Sequence, residues 1–388
     1  MMYWIGIDVA KRKHDIVVLD ESGQPVGKPL TIRNNREGID TLIATLRALD
    51  GQVQIALEAT GHYWLSLYEQ LSKASFDVLV LNPLQVHAYS RSGIRRAKTD
   101  KRDAFWVADF LRIGGARPSR VPETTYLQIR DLGRFRFGLI DDIGDCKRKL
   151  LSILDRVFPE YETLFSSVFL RSSRELLKKT TNPQEFASFD LAELSNLLRS
   201  ASHGRFGTDK AKRIIETARD SIGITVLMDA GKLQVQCLLA QIEFLETQVV
   251  QVDEAIRQLM DTIPQYITSI PGIGPVTGAV ILGEIGDVLR FSELEKLVAY
   301  AGIDPTVHHS GQFEGTKAHM SKRGSPYLRR ALWLSASVAR LHDPQLKAYY
   351  DKRKVEGKHH GQIMGALCRK LLARVYVVLK ENRPYELR

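Results

Sequence analysis

The sequence predicts an α/β N-terminal domain, a helical, coiled-coil-bearing middle and a mostly α-helical C-terminal domain. Three observations predict it. Short apolar runs separated by turn residues alternate with helical spacing up to about residue 124. Apolar residues recur by fours and threes between Leu238 and Leu259. From Ile263 onward, glycines and prolines punctuate helical segments. The expected domains are residues 1–124, 125–262 and 263–388.

The stretch YWIGIDVAKRKHDIVVLDESGQPVGKPLTIRN reads as three strands. Tyr3 to Val9 and Asp15 to Leu19 flank a polar turn, and ESGQ makes a hairpin into Gly27 to Ile32. NREGIDTLIATLRAL has helical spacing at Ile39, Leu42, Ile43, Leu46 and Leu49. QVQIALEATG is a strand ending in a turn, WLSLYEQLSKAS a helix, and FDVLVLNP a strand stopped by Pro83. A loop from Pro83 to Thr99 leads into a further helix. The order β-β-β-α-β-α-β-α combines a hairpin-built antiparallel edge with later parallel strands, which makes a mixed sheet with helices on its faces. It is the order expected of a ribonuclease H-like fold.

Residues from about 125 to 262 are mostly helical in pattern. Within them Leu238, Ile242, Leu245, Val249, Val252, Ile256 and Leu259 form a seam of about three heptads, either a dimer-forming or intrachain coiled coil or one face of a long helix packed within its own domain. Pro264 ends that helix. The stretch 171–230 is polar and weakly patterned, and no role is assigned to it. Beyond Ile263, FSELEKLVAYAGI is a helix, DPTVHHSGQFEGTKAHMSKRGS a loop, and Tyr327 to Leu341 and roughly Met364 to Leu379 are helices.

The chain has 388 residues, 44% hydrophobic and 26% charged, enough to bury real cores. A formal net charge of +10 favours a polyanionic partner such as DNA or RNA. Cys146, Cys237 and Cys368 are far apart and form no CxxC pair, so neither a zinc ribbon nor a disulfide framework is indicated, and a reducing cytoplasm fits. No apolar run approaches the ~18 residues of a membrane span. In MMYWIGIDVAKRK the charge follows the apolar residues, the wrong order for a signal peptide. The expected setting is cytoplasmic, with no membrane partner.

The segment RRAKTDKRDAFWVADFL runs from a basic loop into a helix whose first turn holds Asp100 and Asp103. Positions three apart share a helix face, which Val107 and Leu111 continue inward. Two carboxylates there repel each other unless a cation intervenes. Asp8 ends the first strand and Glu58 the fourth, and functional side chains gather at strand ends. Each acid alone has a plainer explanation: a first-turn aspartate serves the helix dipole, with Thr99 as N-cap, and Asp8 serves as a turn former. Together, in this strand order, Asp8, Glu58, Asp100 and Asp103 point to a Mg²⁺ site, because hard divalent cations take carboxylate, water and phosphate oxygens. Two such ions roughly 3.5–4 Å apart serve phosphoryl transfer. The basic run Arg91, Arg95, Arg96, Lys98, Lys101 and Arg102 would guide phosphate toward them.

GIDVAK, LEATG and KTDKRDA, in this order and spacing, resemble the RuvC-like DEDD domain of the insertion sequence 110 family of transposases, described as bridge-RNA-guided serine recombinases. The resemblance implies Mg²⁺ binding by Asp8, Glu58, Asp100 and Asp103. YAGIDPTVHHSGQFEG and MSKRGSPYLRRALW resemble the family's C-terminal transposase domain, in which the nucleophilic serine matches Ser310. On its own a Ser-Gly in a loop is usually a turn, and a hydroxyl needs activation by a base or metal. His308 and His309 stand nearby, as solvent-facing or phosphate-contacting residues or as assistants to Ser310. Ser321 and Ser325, the rival serines, look like helix caps.

IPGIGPVTGAVIL resembles a helix-hairpin-helix in which Gly272 and Gly274 let backbone N–H groups approach a phosphate; a tight interhelical turn explains it equally. Lys317, Lys322, Arg323, Arg329 and Arg330 form a basic surface around the serine loop, with Tyr327 interleaved and Trp333 better read as core. The whole reads as a DNA recombinase or transposase acting through a phosphoserine link. The resemblance implies donor and target DNA, a structured bridge RNA that reads sequence by pairing, and a multimeric complex, with the heptad seam as an assembly element. The alternative is a metal-only RuvC-like junction endonuclease with Ser310 structural. A sugar-kinase-like ATPase needs glycine-rich phosphate loops that are not in place, and a decayed nucleic-acid-binding protein would not keep all four carboxylates and the serine.

Overall fold

A computed structural model describes residues 1–59, 61–91, 100–115, 123–305, 309–310, 313–314 and 319–387; of Leu84, Asp100, His309, Ser310, Phe313 and Glu314 it describes the backbone alone. The chain divides into two compact units, Met1–Pro122 and Glu123–Arg388.

The first unit is built on a five-stranded sheet. Its strands are β1 (Met2–Val9), β2 (Lys13–Leu19), β3 (Leu30–Arg33), then, after α1 (Arg36–Arg47), β4 (Gln52–Glu58), and, after α2 (Trp64–Lys73), β5 (Val78–Leu81). The spatial order is β3-β2-β1-β4-β5. The β1–β2 and β2–β3 pairs are antiparallel, while β1–β4 and β4–β5 are parallel. This is the mixed sheet that the element order predicts, with the hairpin strands at one edge. Two helices follow, α3 (Pro83–Ser90) and α4 (Asp100–Arg112).

Alternation along the strands sorts the side chains onto two faces. Ile5, Ile7, Ile16, Ile55 and Leu57 point to one face, where they pack with Ile39, Leu42 and Leu46 of α1 and Leu67 and Leu71 of α2. Val17, Leu19, Ala56 and Leu81 point to the other, against Ala104, Val107, Ala108 and Leu111 of α4 and Val86 of α3. Each fully buried leucine or isoleucine contributes about 1.5–3 kcal/mol relative to exposure. α1 begins where the Asn35 side chain accepts from the Gly38 N–H. The expected loop over 83–99 is in part a helix. Pro83 stops β5 and then serves as the first residue of α3, where a missing N–H costs nothing.

The second unit is helical. α5 (Thr124–Val157) leads through a short 3₁₀ turn to α6 (Arg171–Lys179), α7 (Pro183–Ala187), α8 (Leu191–Ala201) and α9 (Thr208–Arg219). α10 (Met228–Asp261) returns along α5, and α11 (Pro275–Ile285) and α12 (Leu294–Ala301) follow. A small hairpin of β6 (His309–Ser310) and β7 (Phe313–Glu314) precedes α13 (Pro326–His342), α14 (Pro344–Val355) and α15 (His360–Glu381). The segment 171–230, left without a role above, folds α6 to α9 onto a core of its own with Phe158, Tyr161, Phe186, Leu198 and Ile214.

The heptad seam faces inward. Ile242, Val249, Val252 and Ile256 are buried, and α10 packs along α5 of the same chain, with Arg136 donating two hydrogen bonds to Asp253 at 2.5 and 3.1 Å. Of the alternatives for the seam, this is packing within the chain: its buried residues meet α5 and offer no free apolar face for assembly. Ile129 and Phe137 of α5, Ile256 of α10, and α11, α13 and α15 share one core, so the helical segment and the C-terminal segment meet in it. α11 is apolar on nearly every side, Gly278 to Ile285 being buried with Glu284 as the one charged residue among them, and so sits at its centre. Trp333 is partly buried against this core. The sequence pattern does not predict α14: its stretch DPQLKAYYDKRKVEG carries few apolar residues, and of these only Leu346 and Tyr350 are buried.

Candidate functional site

Asp8 and Glu58 are positioned by the register of β1 and β4. The parallel ladder aligns Gly6 with Ala56 and Ile7 with Leu57, so the next residues along both strands are Asp8 and Glu58. Both are half-buried. By alternation they share the face of Gly6 and Ala56, the face that α4 covers. α4 lies so close to β1 that a Cβ on Gly6 would stand 2.1 Å from the Ala104 carbonyl oxygen and 2.3 Å from the Ala108 N. Asp103, half-buried, immediately precedes Ala104, and Asp100 is the first residue of the helix. Val107 and Leu111 are buried, as the helical spacing requires of the inward face.

Another carboxylate lies on the face of Asp8. Asp15 is the antiparallel partner of Asp8, is 3% exposed and lies on the same side of β2 as Val17. Like charges directly opposite each other are destabilising. Here Asp15 accepts a hydrogen bond from Thr31 Oγ1 at 2.5 Å and has Lys13 Nζ at 3.3 Å, which offset its burial. Sequence reasoning missed Asp15; only the hairpin register brings it opposite Asp8.

Carboxylates alone are a hard-oxygen donor set of the kind Mg²⁺ takes with water and phosphate, so the residue chemistry fits that ion. Among the described residues no group of three His, Cys, Asp or Glu stands as a metal-holding cluster, and the Asp100 side chain lies outside them. The Thr99 N-cap and the basic residues Arg95, Arg96 and Lys98 also lie outside the described residues; Lys101 is exposed and Arg102 half-buried.

In the second unit Ser310 ends β6 and pairs with Phe313, while His309 pairs with Glu314. Pro305 bridges to Met320 at the neck of this segment. His308 and Lys317 lie outside the described residues. Ser325 caps α13: its Oγ accepts from the Leu328 N–H at 3.1 Å and donates to Glu284 at 2.8 Å. Ser321 is not a cap, because its hydroxyl donates to Asp304 and so ties the two flanks of the loop together. Glu284, 1% exposed, also accepts two hydrogen bonds from Arg134 at 2.6 and 2.9 Å.

The basic residues divide. Lys322 and Arg323 are exposed. Arg329 donates to the Ala301 carbonyl at 3.1 Å. Arg330 forms a two-pronged pair with Asp141 at 2.7 Å and stacks over Phe137, so much of its charge is matched within the unit. Gly272 takes φ +91° where a Cβ would meet Ala339, and Gly274 precedes α11 with open space around it.

Acidic residues at adjacent parallel strand ends, under a helix that brings two more, define an α/β domain with an acidic site, carried on a chain whose other unit is helical. Residues 5–159 match the DEDD family of IS110 described as transposase, and residues 264–351 match the family described as transposase IS116/IS110/IS902. The two matches together span more than half of the chain, and the protein belongs to this family of insertion-sequence transposases, enzymes of DNA strand cleavage and transfer. It is 26% identical to the 42 kDa protein of insertion element IS900 from Mycobacterium paratuberculosis, over 98% of this chain and 96% of that one. It is 25% identical to the pilin gene-inverting protein of Moraxella lacunata, over 99% and 98%. It is 23% identical to the transposase for insertion sequence element IS1111A of Coxiella burnetii, over 98% and 90%. The Thermus thermophilus RuvC structure aligns with 30% of this chain and 100% of its own at 15% identity and a TM-score of 0.24, too low for the likeness to carry weight. No helix among the described residues is long and apolar enough to cross a membrane.

Proposed function

We propose that this transposase cuts and rejoins DNA through a covalent link to Ser310, with Asp8, Glu58, Asp100 and Asp103 holding Mg²⁺. The observation that carries the metal half is the β1–β4 register, which sets Asp8 and Glu58 side by side on the face crossed by the helix of Asp100 and Asp103. When bound, Mg²⁺ supplies Lewis-acid polarisation of phosphoryl oxygens. Ser310 Oγ forms a bond to phosphorus as the bond to the 3′ oxygen breaks, and the proton leaving the hydroxyl goes to that oxygen. A 3′ hydroxyl of a second strand then attacks the same phosphorus and releases the serine. His308 or His309 is the neighbour that would assist proton movement. The Moraxella relative is named for inverting a pilin gene, a rearrangement that requires rejoining as well as cutting, which supports strand transfer over simple hydrolysis here.

The resemblance adds a bridge RNA that pairs with donor and target DNA, and a multimer in which one chain's carboxylates stand beside another chain's serine. The candidate contacts with nucleic-acid phosphates are Arg95, Arg96, Lys98, Lys101, Arg102, Gly272, Gly274, Lys317, Lys322, Arg323, Arg329 and Arg330. Of the cations, the exposed Lys101, Lys322 and Arg323 are the most accessible among the described residues.

The test is covalent trapping. Protein, Mg²⁺, RNA transcribed from the element's flanks and labelled donor and target DNA are incubated, and denaturing gels compare wild type with Ser310→Ala and Asp100→Asn. A protein–DNA adduct that falls to background in both variants, and that needs the RNA, is expected. DNA cut without an adduct and unaffected by Ser310→Ala overturns the serine reading in favour of a metal-only nuclease.

A further inference from the structure

The second unit holds a cavity of about 720 Å³ that none of the motifs above accounts for. Its wall includes Pro305 and Met320, the bridged pair at the neck of the segment that carries Ser310. Across from them stand Tyr349, Arg353, Lys358 and Arg369, from α14, α15 and the turn between. The volume lies in the usual range of ligand sites, about 300–1,000 Å³.

Its charge is lopsided. Arg353 pairs with Glu356 at 2.7 Å and lies over the Tyr349 ring at 5.3 Å, which fixes its guanidinium at the rim. Lys358 and Arg369 are exposed and have no carboxylate within 4.0 Å among the described residues. Lys370 stacks on the same tyrosine at 4.7 Å and adds to the field. Three cations around a nucleotide-sized hollow, with one carboxylate among them, make a positive field that draws an anion in. Arginine and lysine together are also the usual recognition set for phosphate.

We infer that this cavity receives the backbone of the DNA strand next to the phosphate that Ser310 attacks, with Lys358 and Arg369 on one or two phosphodiesters. The inference rests on the serine reading for the choice of DNA and of the neighbouring phosphate, since the cavity adjoins the neck of the Ser310 segment. Arg353, held by Tyr349, borders the entry. The cavity thus fixes the strand's path relative to the loop.

The experiment measures binding of labelled single-stranded DNA and of RNA of the same sequence to the full chain over a range of salt. The double variant Lys358→Gln, Arg369→Gln is compared with Lys352→Gln, Lys354→Gln, which removes equal charge from exposed positions of α14 that do not line the cavity. Expected is a tenfold or greater loss of DNA affinity in the first variant, with the slope of log affinity against log salt reduced by about 1.4 for two lost phosphate contacts. The second variant should lose much less; RNA carries the same phosphates, so its affinity should fall by no more than that of DNA. Equal losses in the two variants, unchanged DNA affinity, or a loss confined to RNA would each overturn the proposal. The adduct assay separates the two readings. Loss of DNA affinity in a protein that forms no adduct retains the cavity and sinks the serine, while full affinity with a Ser310-dependent adduct does the reverse.

Discussion

Gly6 of β1 and Ala104 of α4 meet with no room for a side chain between them: a Cβ on Gly6 would lie 2.1 Å from the Ala104 carbonyl oxygen. The neighbour is helix backbone, which cannot swing aside, so the contact sets the distance between the helix of Asp103 and the strand of Asp8. Gly6→Ala is expected to destabilise the first unit by about 3 kcal/mol, the upper end for overpacking. It should also abolish adduct formation. Asp8→Asn should abolish the adduct with a change in urea midpoint of no more than about 0.5 kcal/mol equivalent, as for substitutions that leave packing intact. Urea unfolding of both variants, alongside the gel assay, checks the pair.

Glu284 anchors the start of α13 through Ser325 and holds Arg134 of α5. Removing one partner of a buried pair usually costs about 3–5 kcal/mol. Arg134 is 40% exposed and can rehydrate, so Glu284→Ala should cost about 3 kcal/mol, the lower end of that range. Glu284→Gln keeps the shape and one acceptor and should cost less. A denaturant series on the two variants gives the comparison.

The glycine turn before α11 offers a sharper contrast. At Gly272 the backbone is left-handed, φ +91°, and a Cβ would lie 2.5 Å from the Ala339 Cβ, so Gly272→Ala should cost about 1–3 kcal/mol. Gly274 has φ −86° and open space, so Gly274→Ala meets no clash and should cost less, about 0.5–1 kcal/mol, because alanine is the poorer N-cap. Thermal melts check the ranking. If Gly274→Ala weakens DNA binding with no greater loss of stability, the turn contacts phosphate; unchanged binding leaves it as a packing turn.

His14 is expected to make the first unit acid-sensitive. It is fully buried, and burial pushes its imidazole below the usual range against the opposing charge of Asp15. The folded state therefore holds the neutral ring, while the unfolded chain takes up a proton near pH 6.5. Below that value the unfolded state binds more protons, so stability falls as pH drops toward the lower folded pKa. His14→Gln should flatten that acid limb of a stability–pH curve, and an unchanged limb would show that other groups govern it.

The element order of the first unit was legible because period-two runs in β1, β2 and β4 and the stripe of α4 are local signals, each fixed by side chains within a few residues. The same local logic picked out Asp8 and Glu58 at strand ends and Asp100 and Asp103 on one helix face. It failed at Pro83–Ser90, where a proline that ends a strand also opens a helix. It failed again across α6 to α9, each 5 to 12 residues long, too short for a period to declare itself against polar neighbours.

By itself, then, the sequence determined which residues carry charge and hydroxyls and which faces of which elements are apolar, since those follow from spacing alone. Only the tertiary structure decided what each face meets. It turned the heptad seam of α10 onto α5, placed Asp15 opposite Asp8, matched Arg330 with Asp141, and opened a basic cavity at the neck of the Ser310 segment. These are contacts between residues far apart in the chain, set by strand register and helix crossing, and no window of the sequence contains both partners.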